Sequence, residues 1–163
     1  MAQGMNHGNR EAHEKHMNRA IELARRNPDA PFGCVIADDA GEVVAEGVND
    51  ADRSPILHGE TAAIISLFDQ APGPDAPDTS NLTLYTTAEP CPMCSGAMLW
   101  SGIPRLYYGT SMATLKGLGL DHIDLTCEEV SRRCSFASFE ADGGLLEREC
   151  DALFEDLAQR LGV

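Results

Sequence analysis

The feature that most constrains this chain is a pair of short motifs, His58-Gly59-Glu60 and Pro90-Cys91-Pro92-Met93-Cys94. One imidazole and two thiolates are three borderline-to-soft donors suited to a single zinc ion. For the three to meet, two segments far apart in the chain must reach one point, and both must do so at helix starts. Cys91 and Cys94 are spaced i, i+3, so at the beginning of a helix they face the same way. The partial positive charge at that end favours thiolate over thiol. His58 and Glu60 are spaced i, i+2, and such pairs diverge in mid-helix. They converge only where His58 is still half outside the helix. The sequence fits, since a loop ends at Ser54-Pro55 and an apolar helix begins after Gly59.

Three protein ligands leave the fourth tetrahedral position open to water, whereas structural zinc sites close it. Glu60 beside the ligand His58 supplies the acid–base group that such a water needs. Two blander readings compete. A lone Cys-x-x-Cys is often half of a structural zinc knuckle or a redox pair. A redox pair has no use for His58 and Glu60. A knuckle needs a fourth ligand, for which His122 is the candidate, although it also reads as an ordinary loop histidine.

The 163 residues, 43% of them apolar, suit one domain, 1–163, with a flexible start over 1–10 and an exposed loop over 71–80. The net charge of −14 argues against a nucleic-acid surface, which needs clustered Lys and Arg. No apolar run approaches a membrane span. The polar start Met1–Glu14 lacks a secretory segment, so the cytoplasm is the expected compartment. There the six cysteines read as a metal pair, Cys91 and Cys94, plus four small buried or half-buried residues, Cys34, Cys127, Cys134 and Cys150.

Hydrophobic spacing predicts helices over Glu11–Arg26, Gly59–Phe68, Pro92–Trp100 and about Gly144–Leu161, the last with Leu146, Cys150, Leu153, Leu157 and Leu161 on one stripe. Strands are expected at Phe32–Ala37 and Val43–Val48, paired as a hairpin, and at Leu82–Thr87 and Leu106–Gly109. Glu128–Cys134 reads as a short helix, and the glycine-rich Ser111–Leu120 is left unassigned. The alternation indicates a layered α/β domain around a largely buried sheet.

The two motifs, with Leu84-Tyr85-Thr86-Thr87, Glu89-Pro90-Cys91 and Ser95-Gly96-Ala97-Met98, resemble the cytidine-deaminase-like zinc deaminases. Their nearest likeness is the branch of guanine deaminases, fungal-type cytosine deaminases and tRNA adenosine deaminases. The resemblance runs from about Phe32 to Phe154. It implies a three-layer α/β/α fold with a five-stranded mixed sheet, one zinc per chain held by His58, Cys91 and Cys94, and Glu60 as proton shuttle. It also implies a homodimer and a small base or nucleoside as substrate. Asn49 would hydrogen-bond the base, against the alternative of a loop-capping Asn. A main-chain carbonyl near Ala88 or Glu89 would hold the leaving amine, and Phe32 would line the pocket.

On substrate the signals divide. Ala97-Met98-Leu99-Trp100 resembles guanine deaminases, whose Trp packs on the substrate; a buried Trp at a helix end is the alternative. Those enzymes also carry an acid in the segment after the next strand, where Ser111–Lys116 has none and Asp121 and Asp124 come later. His58-Gly59-Glu60 and Gly102-Ile103-Pro104-Arg105 resemble cytosine deaminases. A guanine deaminase-like activity is placed first, cytosine second, and tRNA adenosine third because of the acidic charge. A non-catalytic zinc-stabilised binding protein is the reading from another class, and Glu60 stands against it.

Overall fold

The computed structural model describes residues 7–71 and 73–163. Five strands form one mixed sheet: β1 (Gly33–Ala37), β2 (Val43–Val48), β3 (Thr83–Ala88), β4 (Arg105–Thr110) and β5 (Glu140–Gly143), in the order β2-β1-β3-β4-β5. β1 runs antiparallel to both β2 and β3, while β3, β4 and β5 are mutually parallel. Successive residues of β1 serve opposite faces, as the pleat requires. Cys34 and Ile36 join the core under α2 (Gly59–Asp69), α3 (Pro92–Ser101) and α5 (Cys127–Arg133). Val35 and Ala37 join the core under α1 (His7–Ala24) and α6 (Glu147–Leu161). The result is the expected three-layer arrangement. A third cluster, centred on Phe154, ties α6 to Leu115 of α4 (Met112–Gly117) and to Phe32.

Several boundaries differ from the sequence expectation. α1 already runs through 7–10, where a flexible segment was expected; residues 1–6 lie outside the described residues. α6 starts at Glu147 rather than near Gly144, because 140–143 pair with β4 as a parallel edge strand and Leu146 adopts a left-handed conformation, φ 50°, that a helix cannot continue. Its buried stripe is Cys150, Phe154, Leu157 and Ala158, while Leu161 is exposed. Ser111–Leu120 contains a short helix, α4, capped by the Ser111 hydroxyl accepting from the Thr114 N–H. α5 opens with a reciprocal capping box between Thr126 and Glu129.

Two glycines matter to the placement of the site. Gly102, at φ 71°, closes α3 in the left-handed conformation that favours glycine. Gly47 lets β2 lie directly against α2: a Cβ there would come 2.1 Å from the Gly59 carbonyl oxygen and 2.4 Å from the Ala63 nitrogen. Among the described residues no helix is long and apolar enough to cross a membrane.

Candidate metal centre and substrate cavity

The two motifs meet where the helix starts of α2 and α3 converge. His58 is the N-cap residue of α2, with an extended backbone (φ −74°, ψ 165°), so it stands outside the helix that Glu60 has entered. The Thr61 hydroxyl donates to the carbonyls of Ile56 and His58 and fixes this entry. Cys91 is the N-cap residue of α3, also extended, with Pro92 in the first turn where its missing N–H is no loss. Cys94 follows one turn into the helix. Both thiols approach the same ring nitrogen: Cys91 Sγ and Cys94 Sγ are each 3.6 Å from His58 Nδ1. The three donor atoms lie within 4.8 Å of one another.

This spacing fits the ion that the donor chemistry suggests. Zinc–sulfur bonds of about 2.3 Å and zinc–nitrogen bonds of about 2.05 Å at a tetrahedral angle place sulfur and nitrogen about 3.6 Å apart. Among the described residues no fourth His, Cys, Asp or Glu joins the cluster. His122 borders the nearby cavity, but its Nδ1 pairs with the Leu120 carbonyl at 2.9 Å. Hydrogen bonding from Cys94 and then His58 holds the Cys91 thiol well below its ordinary range, while Cys94 is pushed up by its bond with Cys91 and by burial. Metal binding takes both sulfurs as thiolates and so releases protons.

Glu60 is 2% exposed, and its Oε1 accepts from the Thr86 hydroxyl of β3 at 2.8 Å. Burial pushes its carboxyl above the ordinary range, opposed by backbone hydrogen bonding and by Thr86. A buried carboxyl beside a metal-ligand set is the environment expected of an acid–base group. Thr86 was not singled out in the sequence; its place opposite Cys34 in the sheet is what aims it at Glu60.

A cavity of about 70 Å³ opens over these groups. His58, Glu60 and Cys91 border it from the metal side, Phe32 and Glu89 flank it, and Met112, Leu115, Asp121 and His122 complete it. Wider hollows lie elsewhere; one of about 600 Å³ runs along α1 beside Glu46, without any of the metal donors. Donor chemistry, not size, singles out the small cavity.

The other expected substrate contacts divide. Phe32 is at the cavity, its ring stacked at 18° and 6.4 Å on His58 and tilted against Phe154. Glu89 borders the cavity, and Ala88 is buried at the end of β3 beneath it. Asn49 is buried but does not border the cavity; its Oδ1 accepts from the Ala51 N–H at 3.1 Å, which is the loop-capping alternative. Trp100 requires correction. It is neither buried nor at the cavity: it is 79% exposed and packs on Phe136 at 4.4 Å. α3 begins at the metal donors and carries its last turn away from them, which leaves Trp100 off the cavity wall. Asp121 requires the opposite correction. It follows α4 too late in sequence to resemble the expected acid, yet the chain turns back after Gly119 and brings it to the cavity wall. Met112 and Leu115 carried no signal in the sequence, because their segment was unassigned.

A layered α/β/α protein with one three-donor zinc centre at the carboxyl ends of its parallel strands is the class that this fold and donor set define. The family follows from comparison with known proteins. Residues 10–110 match the family model described as the cytidine and deoxycytidylate deaminase zinc-binding region, and the chain belongs to that family. It is 36% identical over 104 residues to a probable cytosine deaminase of Schizosaccharomyces pombe, covering 61% of each chain. It is 41% identical over 103 residues to a tRNA-specific adenosine deaminase of Haemophilus influenzae, covering 60% of this chain and 58% of that one. With a Bacillus subtilis guanine deaminase it shares 35% over 115 residues, 67% of this chain and 71% of the other. The chain thus spans about three-fifths of the length of the first two of these relatives. Among solved structures, a guanine deaminase from Nitrosomonas europaea superposes with a TM-score of 0.72 at 26% identity, over 90% of this chain and 84% of that one.

Proposed function

We propose that this chain is a zinc-dependent hydrolase that deaminates a nucleobase or nucleoside at a cyclic amidine carbon, converting C–NH2 and water to C=O and ammonia. The observation that carries the reading is Glu60, a buried carboxyl beside the donor set His58, Cys91 and Cys94. A binding protein would gain nothing from burying that acid, and burial is costly to its charged form. His58, Cys91 and Cys94 are the proposed ligands. When bound, zinc supplies the Lewis acidity that makes water a nucleophile near neutral pH. Glu60, oriented by Thr86, takes one proton from the attacking water and gives it to the ring nitrogen, then takes the second from the hydroxyl now on that carbon and gives it to the departing amine as the C–N bond breaks and C=O forms. Phe32 offers a ring face to the base, and a carbonyl of Ala88 or Glu89 accepts from the leaving group.

Guanine is the favoured substrate. Asp121 presents an acceptor at the cavity wall, which suits the donor edge formed by guanine's ring N–H and amine. An unpaired acceptor against a ring carbonyl, as cytosine presents, discriminates strongly. The likeness to guanine deaminases supports the same choice, while the S. pombe relative keeps cytosine second. Adenosine in tRNA stands third: the cavity is bordered by no Lys or Arg, and the net charge is −14. The free cysteines suit a reducing compartment, so the cytoplasm is the proposed location.

The test is ammonia release by zinc-replete protein from guanine, cytosine, adenine, their nucleosides and a tRNA anticodon stem. Guanine is expected to react fastest. Activity confined to RNA overturns the order, and no ammonia from any of them leaves only the binding-protein reading.

A further inference from the structure

The side chain of Glu89 has work that its position on the cavity does not explain. It is buried, and its two carboxylate oxygens serve two different helices. Oε2 accepts from the Met112 N–H at 2.8 Å and Oε1 from the Cys127 N–H at 3.0 Å. Met112 is the first residue of α4 and Cys127 the first of α5. Their N–H groups are among those a helix cannot satisfy for itself. The local caps leave them free, since Ser111 and Thr126 take the N–H groups of Thr114 and Glu129 instead. A carboxylate at two helix starts gains from both dipoles and makes charge-assisted bonds.

Between those two bonds lies the segment 112–127, which supplies Met112, Leu115, Asp121 and His122 to the cavity. One buried carboxylate therefore fastens the wall at both ends. The metal loop does not depend on the same side chain. Its backbone is held by the Glu89 N–H donating to Thr110 and the Ser95 hydroxyl donating to Pro90. Glu60 is held from β3 by Thr86. The cavity is small, about 70 Å³, so the setting of this wall bears on what enters.

We propose that Glu89 is a positioning residue, whose carboxylate clasps both ends of the wall segment 112–127 and thereby sets substrate affinity rather than the chemical step. The kinetic part of this inference rests on the deaminase reading; the structural part does not.

Glu89→Gln is isosteric but keeps one acceptor oxygen, so one of the two N–H groups loses its partner. The variant should bind one zinc per chain as the parent does. Its KM for guanine should rise about tenfold, the size of one buried bond left unmade, with kcat within about twofold. Amide exchange should accelerate within 112–127 and stay unchanged over 58–68. Cys127→Pro is the second variant: proline is tolerated at a first helical position and removes one donor while leaving Glu89 intact. It should reproduce the exchange pattern. Loss of zinc, a fall in kcat at constant KM, or unchanged exchange in 112–127 overturns the clasp. If guanine is no substrate of the parent protein, the substrate assignment fails, and exchange and zinc content decide the clasp by themselves.

Discussion

Glu60 is the residue whose surroundings are hardest to account for without chemistry. Its carboxyl lies within the core and accepts from the Thr86 hydroxyl. The fold would be easier to stabilise with an apolar residue there. Glu60→Gln preserves shape and an acceptor for Thr86, and leaves His58, Cys91 and Cys94 untouched. We expect zinc content and melting temperature to match the parent, and turnover to fall by about 10² to 10⁴. Metal analysis, a thermal melt and ammonia release check this; unimpaired release would remove Glu60 from the mechanism. Its place beside the metal donors was legible because a helix start is the one place where residues two apart converge. Thr86 was not legible, because its direction depends on which face of β3 meets α2.

At the scale of elements, the site is the meeting of two helix starts, so anything that displaces α2 displaces His58 and Glu60 together. Gly47 sets that distance from the neighbouring strand. In Gly47→Ala the new methyl would overlap α2 backbone at Gly59 and Ala63, and backbone cannot rotate away. A destabilisation of about 1–3 kcal/mol is expected from such overpacking, together with weaker zinc retention in a chelator competition. Gly117→Ala, with open space around it, is the control and should be near neutral. A parent-like zinc affinity in Gly47→Ala would show that β2 does not position the metal helix. The long elements were readable from their apolar spacing. β5 was not: Glu140-Ala141-Asp142-Gly143 is an exposed-edge strand with no apolar alternation, and only its pairing with β4 makes it a strand. α4 is too short to show a period.

At the scale of the whole molecule, the outward face near the end of α3 presents Trp100, 79% exposed, against Phe136. Phe136 is exposed as well, so the two rings present an apolar spot to solvent. We propose that this face joins two copies of the chain. The protein should sediment as a dimer, and Trp100→Glu should shift it toward the monomer. A parent protein that is monomeric at micromolar concentration would refute the assignment.

The sequence by itself determined the donor set and its geometry, since i, i+3 and helix-start spacings are local properties that hold wherever the helices go. It also determined the layered class, through the alternation of apolar helices and strands. Tertiary structure alone decided the cavity wall. Asp121 and His122 reach it by a turn of the chain after α4, and Glu89 fastens that wall through N–H groups lying 23 and 38 residues further along the chain. Such contacts depend on where distant backbone comes to rest, which no local spacing encodes.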